Sequence, residues 1–129
     1  MNVIERVLTQ NAPQPAGHYS QAVIHNGIVY VAGQLPIDPQ TGERRVGSIE
    51  EQTELALMNL FEILRAAGSD VDHVLKTTVY ISDIELWGRV NVVYARLFGD
   101  HRPARAVVPT RDLHFGFQVE IEAIAVLVE

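Results

Sequence analysis

The sequence predicts an α+β fold: one mixed sheet with two helices on one face, in the order β-β-α-β-α-β-β. Three observations carry this prediction. Two β-rich runs flank Asn26-Gly27, a strong hairpin signal because both turn residues tolerate positive φ. Two segments with helical apolar spacing, Ser48 to Gly68 and Asp83 to Gly99, are bounded by capping residues. Residues 74–82 and 118–128 alternate as strands do, and a short apolar run opens at Arg105.

Each element has a local reason. Pro13 and Pro15 stiffen the segment before Gly17, and a further short strand is open at residues 3–8. The hairpin joins Ala22–His25 to a strand from Ile28 expected to end at Gly33, after which Pro36, Asp38-Pro39 and Thr41-Gly42 mark an irregular stretch. Ser48 and Glu51 form a capping box that opens the first helix. Its apolar side is Leu55, Leu57, Met58, Leu60, Phe61, Ile63, Leu64 and Ala67; Glu50, Glu51, Glu54, Asn59, Glu62 and Arg65 take the other. Gly68 stands where a left-handed C-terminal glycine belongs. In the next strand Leu75, Thr77, Val79 and Ile81 share one side, and Lys76, Thr78 and Tyr80 the other. Asp83 caps the second helix, whose stripe runs through Leu86 or Trp87, Val90, Val93 or Tyr94, and Leu97 or Phe98. Strands over 105–109 and 118–128 finish the chain.

Two helices cover only one face of such a sheet, yet the last strand is apolar on both sides: Val119, Ile121, Ala123, Ala125 and Leu127 oppose Ile124, Val126 and Val128. An apolar face without helices marks an interface, so a homo-oligomer is expected. Composition narrows the rest. A chain of 129 residues is expected to be a single domain spanning 1–129, and its 47% hydrophobic content supplies a core. Ten Lys+Arg against 16 Asp+Glu give a net charge of −6, which argues against a nucleic-acid partner. Zero cysteines exclude disulfides, thiolate catalysis and Cys-ligated metal. With no signal-like start and no apolar run of the roughly 18–20 residues that span a bilayer, a cytoplasmic protein without membrane partners is expected.

Two features point to chemistry. Arg105 opens an apolar strand in Pro103-Ala104-Arg105-Ala106-Val107-Val108, and a half-buried guanidinium needs either an internal acid or an anionic ligand. Both readings stay open, although His101, Arg102, Arg105, Arg111 and His114 make this the one locally basic stretch. In the last strand Gln118, Glu120 and Glu122 share the face of Ile124 and Val126, and a partly desolvated Glu120 suits a proton acceptor. Glu122 reads as a solvated strand end. The five histidines lack metal-ligand spacing, and no phosphate loop, nucleotide fingerprint or serine elbow is present. Lys76 reads as a solvated strand residue rather than a Schiff-base lysine.

The sequence also resembles the Rid/YjgF family of enamine/imine deaminases. The resemblance is carried by Gly17-His18-Tyr19-Ser20-Gln21-Ala22, Val31-Ala32-Gly33-Gln34-Leu35-Pro36, Lys76-Thr77-Thr78-Val79-Tyr80, Val90-Asn91-Val92-Val93-Tyr94, Pro103-Ala104-Arg105 and Val119-Glu120-Ile121-Glu122-Ala123. It implies a chorismate-mutase-like fold, a homotrimer with sites between subunits, and cofactor-free hydrolysis of small 2-imino acids. It implies that Arg105 clamps the substrate carboxylate and Glu120 activates water. Tyr19 and Asn91 would line the cleft, with backbone at Gly33 and Val107. Two positions depart from the family's best-known deaminases: Val107 replaces a frequent Cys and Ala32 a frequent Ser. Loop residues Arg111, His114, Phe115 and Phe117 lie outside the shared blocks and are candidates for selecting a larger ligand, such as 2-aminomuconate. A ligand-binding or regulatory trimer with little catalysis is the alternative from another class.

Overall fold

The computed structural model describes residues 3–129 of the chain. Its strands are β1 (Glu5–Val7), β2 (Ala22–His25), β3 (Ile28–Gln34), β4 (Val74–Ile81), β5 (Ala104–Pro109) and β6 (Val119–Val126); its helices are α1 (Ile49–Ala67) and α2 (Trp87–Phe98). They form one six-stranded sheet in the order β1-β2-β3-β6-β4-β5. Every neighbouring pair is antiparallel except β4 and β5, so the sheet is mixed as expected. The strand left open at residues 3–8 forms as β1, paired with β2.

The hairpin turns at Asn26 (φ 51°) and Gly27 (φ 79°), placing His25 opposite Ile28. Both φ values lie in the left-handed region that a two-residue hairpin turn requires. At the far end β3 runs one residue beyond Gly33, with a register shift against β6 between Val31 and Gln34. The Ser48 side chain accepts from the Glu51 N–H at 3.1 Å, and Gly68 (φ 93°) closes α1. The Glu51 carboxylate does not complete the box: it lies against Gly47.

Leu57, Leu60, Ile63 and Leu64 of α1 pack with Val29, Val79, Ile121 and Ala125 of the sheet. Phe61 meets Phe98 of α2 edge-on at 5.5 Å. Asp83 caps a 3-10 turn at Ile84–Leu86, accepting from the Glu85 N–H at 2.9 Å, so α2 proper begins only at Trp87.

Four side chains depart from the sequence pattern. Asn59, expected on the solvent side of α1, is buried; its amide donates to the carbonyls of Leu35 (3.1 Å) and Ile37 (2.9 Å). The irregular stretch after β3 offers carbonyls that no strand satisfies, and a helix polar residue reaches them. Met58 is exposed. Leu75 is exposed because a bulge between Val74 and Lys76 shifts the alternation and gives the core position to Val74. Gln118 sits in a bend before β6 and exchanges two hydrogen bonds with Gln52 of α1 (2.9 and 3.2 Å), so it faces the helix rather than the open side of the sheet.

On that open side Tyr30 is 45% exposed, and Ile124 and Val126 are half-buried. No described helix is long and apolar enough to cross a membrane. Replacing Asn59 with Ala takes the donor from the Ile37 carbonyl and leaves the Leu35 carbonyl only the Ile37 N–H at 2.8 Å. The expected loss is about 2 kcal/mol of stability, read as a lower urea midpoint with an unchanged slope.

Candidate functional site

Arg105 stands opposite Thr77 of β4, and Thr77 is fully buried. Alternation therefore sends Arg105 to the helix side of the sheet. There its Nη1 donates to Asn91 Oδ1 at 2.8 Å. Its guanidinium carbon lies 4.8 Å from the ring centre of Tyr94 and 5.5 Å from that of Trp87. Trp87, Asn91 and Tyr94 follow one another at helical spacing along α2, so one helix face holds the fork. Tyr94 is itself fixed, sharing a 2.7 Å hydrogen bond with the Thr77 hydroxyl and stacking on Phe98 at 4.4 Å. Burial pushes the Tyr94 phenol up, while the Thr77 hydrogen bond and the nearby Arg105 charge oppose that shift. Among the described residues Arg105 has no carboxylate partner. Of its two readings, the internal salt bridge is thus absent. The guanidinium borders a cleft of about 460 Å³ together with Asn91, Tyr94, Arg102 and Pro103.

Glu120 stands opposite Tyr80 of β4, on the open side. Its carboxylate lies so close to Gly33 that a side chain there would occupy the same space. Burial pushes the Glu120 carboxyl above its ordinary value; the His114 charge works against this and the Glu122 charge adds to it. Glu122 is not a free solvated end: it accepts from the Tyr80 hydroxyl at 3.0 Å, a bond that raises the Tyr80 pKa. Beside Gly33 opens a cleft of about 300 Å³ bordered by Tyr19, Leu35, Ile37, His114 and Phe115. Buried Gln21 secures its wall, accepting from the Thr9 N–H (2.7 Å) and donating to the carbonyls of Thr9 (3.1 Å) and Pro13 (3.0 Å). The Tyr19 hydroxyl accepts from the Ala16 N–H at 3.2 Å.

The fold thus brings the expected residues together in two groups rather than one. Arg105 and Asn91 meet on the helix side; on the open side Glu120 lies against Gly33, which shares its cleft with Tyr19. β5 and β6 flank β4, so Arg105 and Glu120 are separated by two strand spacings, roughly 10 Å across the sheet, and by three residues, roughly 10 Å, along it, besides pointing to opposite faces. The Val107 side chain packs against the core, which leaves only its backbone for any cleft.

A family model described as Endoribonuclease L-PSP matches residues 9–127. The chain belongs to that family, also called Rid/YjgF. It is 44% identical over 126 residues to the 2-iminobutanoate/2-iminopropanoate deaminase of Rattus norvegicus, covering 97% of this chain and 92% of the relative. A RutC family protein of Pyrococcus horikoshii is 46% identical over 121 residues, covering 94% and 96%. Among solved structures, a Rid family protein from Yersinia pestis superposes with a TM-score of 0.94 at 41% identity, covering 97% and 100%. E. coli TdcF with bound serine does so at 0.91 and 37% identity, covering 96% and 99%.

In this Rid chain the loop after β5 divides. Phe117 is buried, 1% exposed, with its ring edge-on to Phe115 at 5.9 Å, and so is not a ligand-selecting residue. Arg111 is exposed, while His114 and Phe115 border the cleft at Gly33. Two further side chains join these groups without a site role read from the sequence. Trp87 is legible as an alternative on the apolar stripe of α2, and its spacing of four from Asn91 is the signal that could have placed it beside Arg105. Arg44, 3.6 Å over the Phe115 ring, has none, because the contact joins distant loops. No cluster of potential metal ligands occurs among the described residues.

A raised Glu120 pKa means the fold favours its protonated form. That contribution is complete below the ordinary value of 4.5 and is lost as pH rises through the folded-state value. Glu120→Gln should therefore melt higher than the parent at neutral pH, with the gap closing below about pH 4.5 in paired thermal scans.

Proposed function

We propose that the protein hydrolyses 2-imino acids, formed by tautomerisation of enamines such as 2-aminoacrylate, to 2-keto acids and ammonia. The sites would lie in clefts shared between copies of a homotrimer. The observation that carries this reading is the Arg105 guanidinium, ordered by Asn91, Tyr94 and Trp87 yet without an internal carboxylate. Such a fork is ready for a substrate carboxylate. Relatives named as 2-iminobutanoate/2-iminopropanoate deaminases support the reaction class.

In this mechanism Arg105 anchors the carboxylate of the imino acid and so fixes the imine carbon. Glu120, from a neighbouring copy, takes a proton from water as the water oxygen bonds to that carbon, and passes it to the imine nitrogen. The tetrahedral carbinolamine then breaks its C–N bond as its hydroxyl proton is carried by Glu120 to the nitrogen, releasing ammonia and leaving the ketone. The imine carbon is already electrophilic, so orientation and one base suffice and no cofactor is required. Burial suits Glu120 to the task by bringing its pKa toward working pH. Gly33 makes room for the carboxylate, Tyr19 and Asn91 line the cleft, and Val107 acts through its backbone, so the missing cysteine costs the chemistry nothing. Two copies are needed because Arg105 and Glu120 face opposite sides of one sheet, and the uncovered apolar face offers the surface for association. The net charge of −6 gives no support to an RNA substrate, despite the family model's description.

With 2-aminoacrylate generated by a PLP-dependent serine dehydratase, the protein should accelerate pyruvate formation and Glu120→Ala should not. Equal rates with and without the wild-type protein would leave a binding module instead. Arg105→Lys keeps charge but loses the planar fork, and KM should rise roughly tenfold, the scale of one charge-assisted hydrogen bond. Trimers mixing Arg105→Ala and Glu120→Ala chains should each regain one intact cleft, about a third of full activity, whereas either variant alone stays inactive.

A further inference from the structure

We propose that the turn at His114–Gly116 shapes the cleft at Gly33, against which Glu120 lies, for 2-imino acids bearing an aromatic or large apolar side chain. The proposal rests on the deaminase reading above and names its substrate class.

Size is the first observation. The cleft of about 300 Å³ matches the lower end of pockets that hold drug-sized ligands, and a three-carbon imino acid fills only a fraction of that. Chemistry is the second. The walls are apolar, with Pro13, Leu35 and Ile37 beside the rings of Tyr19, His114 and Phe115. Aromatic side chains gathered around one space favour edge-to-face or offset contacts with another ring.

The backbone supplies the third. Phe115 adopts φ 59° and ψ 20°, the left-handed region that a bulky side chain rarely occupies, and Gly116 follows with φ 77°. Such a conformation persists only where neighbours over-determine it, and it concentrates at ligand sites. Here the neighbours are identifiable. The Arg44 guanidinium carbon lies 3.6 Å over the Phe115 ring, and buried Phe117 supports it edge-on at 5.9 Å. Folding alone gives no reason for this arrangement, since glycine would take the same turn without strain and Phe115 remains 46% exposed. What the arrangement achieves is a ring fixed on the cleft wall.

Orientation completes the argument. On the reaction proposed above, an imine carbon at Glu120 would sit beside Gly33 of the cleft wall, and its remaining substituent would enter the space that His114 and Phe115 border. Arg44 lies over the Phe115 ring rather than among the cleft-lining side chains, so the wall favours an apolar substituent over a second carboxylate.

The test compares kcat/KM for imino acids released from alanine, leucine, phenylalanine and glutamate by an amino-acid oxidase, with wild type and Phe115→Gly. Glycine removes the ring and relieves the turn, and a thermal melt no lower than the parent's shows that the fold is retained. Wild type should prefer the phenylalanine- and leucine-derived imines over the alanine-derived one by roughly tenfold or more, and Phe115→Gly should shrink that ratio about fivefold. A flat profile, or preference for the alanine-derived imine, overturns the proposal while leaving the deaminase reading intact. Preference for the glutamate-derived imine overturns it in favour of a second carboxylate site at Arg44. An unchanged ratio in the folded variant also overturns it, and no acceleration with any imine removes both readings.

Discussion

The position of β4 between β5 and β6 governs most of what this molecule can do. Strand β4 pairs in parallel with β5 and antiparallel with β6, and both registers are continuous past its bulge. Thr77 thereby faces the helices together with Arg105, while Tyr80 faces the open side together with Glu120. A strand side chain cannot cross to the other face without a slip in register, which would invert the buried set of every neighbour. The two groups that a carboxylate-bearing imine would need are therefore held apart by the same pairing that holds the core together. In the proposed reaction a second copy would join them, and the half-exposed Tyr30, Ile124 and Val126 give this chain an apolar face for such a contact.

Each half of the site is kept ready by different physics. On the helix side, order comes from one face of α2: Asn91 directs the guanidinium, two rings flank it, and Tyr94 is held by Thr77 and Phe98. The fork loses little further freedom when a ligand arrives. On the open side the controlling factor is desolvation. Burial, the neighbouring Glu122 charge and the opposing His114 set the Glu120 carboxyl, while the absence of a side chain at Gly33 leaves space for it. Glu122, close in sequence and on the same face, instead accepts a hydrogen bond from the Tyr80 hydroxyl.

Local pattern was most informative where local forces decide. Asn26-Gly27, the Ser48 cap and the Gly68 stop act within a few residues, and all three form as their chemistry demands. Pattern misled where a distant partner outweighs it. Asn59 is polar on a helix and reads as solvent-facing, yet carbonyls from the stretch after β3 draw it inward. Gln118 fits the alternation of β6 but is turned toward α1 by Gln52. Leu75 fits that of β4, but the bulge beside it cannot be seen from one strand alone. Phe117 and Phe115 look equivalent in the loop, and only packing separates the buried ring from the strained, half-exposed one.

The sequence by itself determined the order of elements, the two-sided apolar character of the last strand, and the family through its Pro103-Ala104-Arg105 and Val119–Ala123 blocks. These depend on periodicity and on short runs of residues, which a single chain displays directly. Tertiary structure alone decided that Arg105 lacks an internal acid, that Asn91 and Trp87 stand beside it, and that Glu120 lies against Gly33 on the opposite face. Those facts depend on which strands become neighbours and in what register. That choice is made by burying the whole core at once, and no local pattern records it.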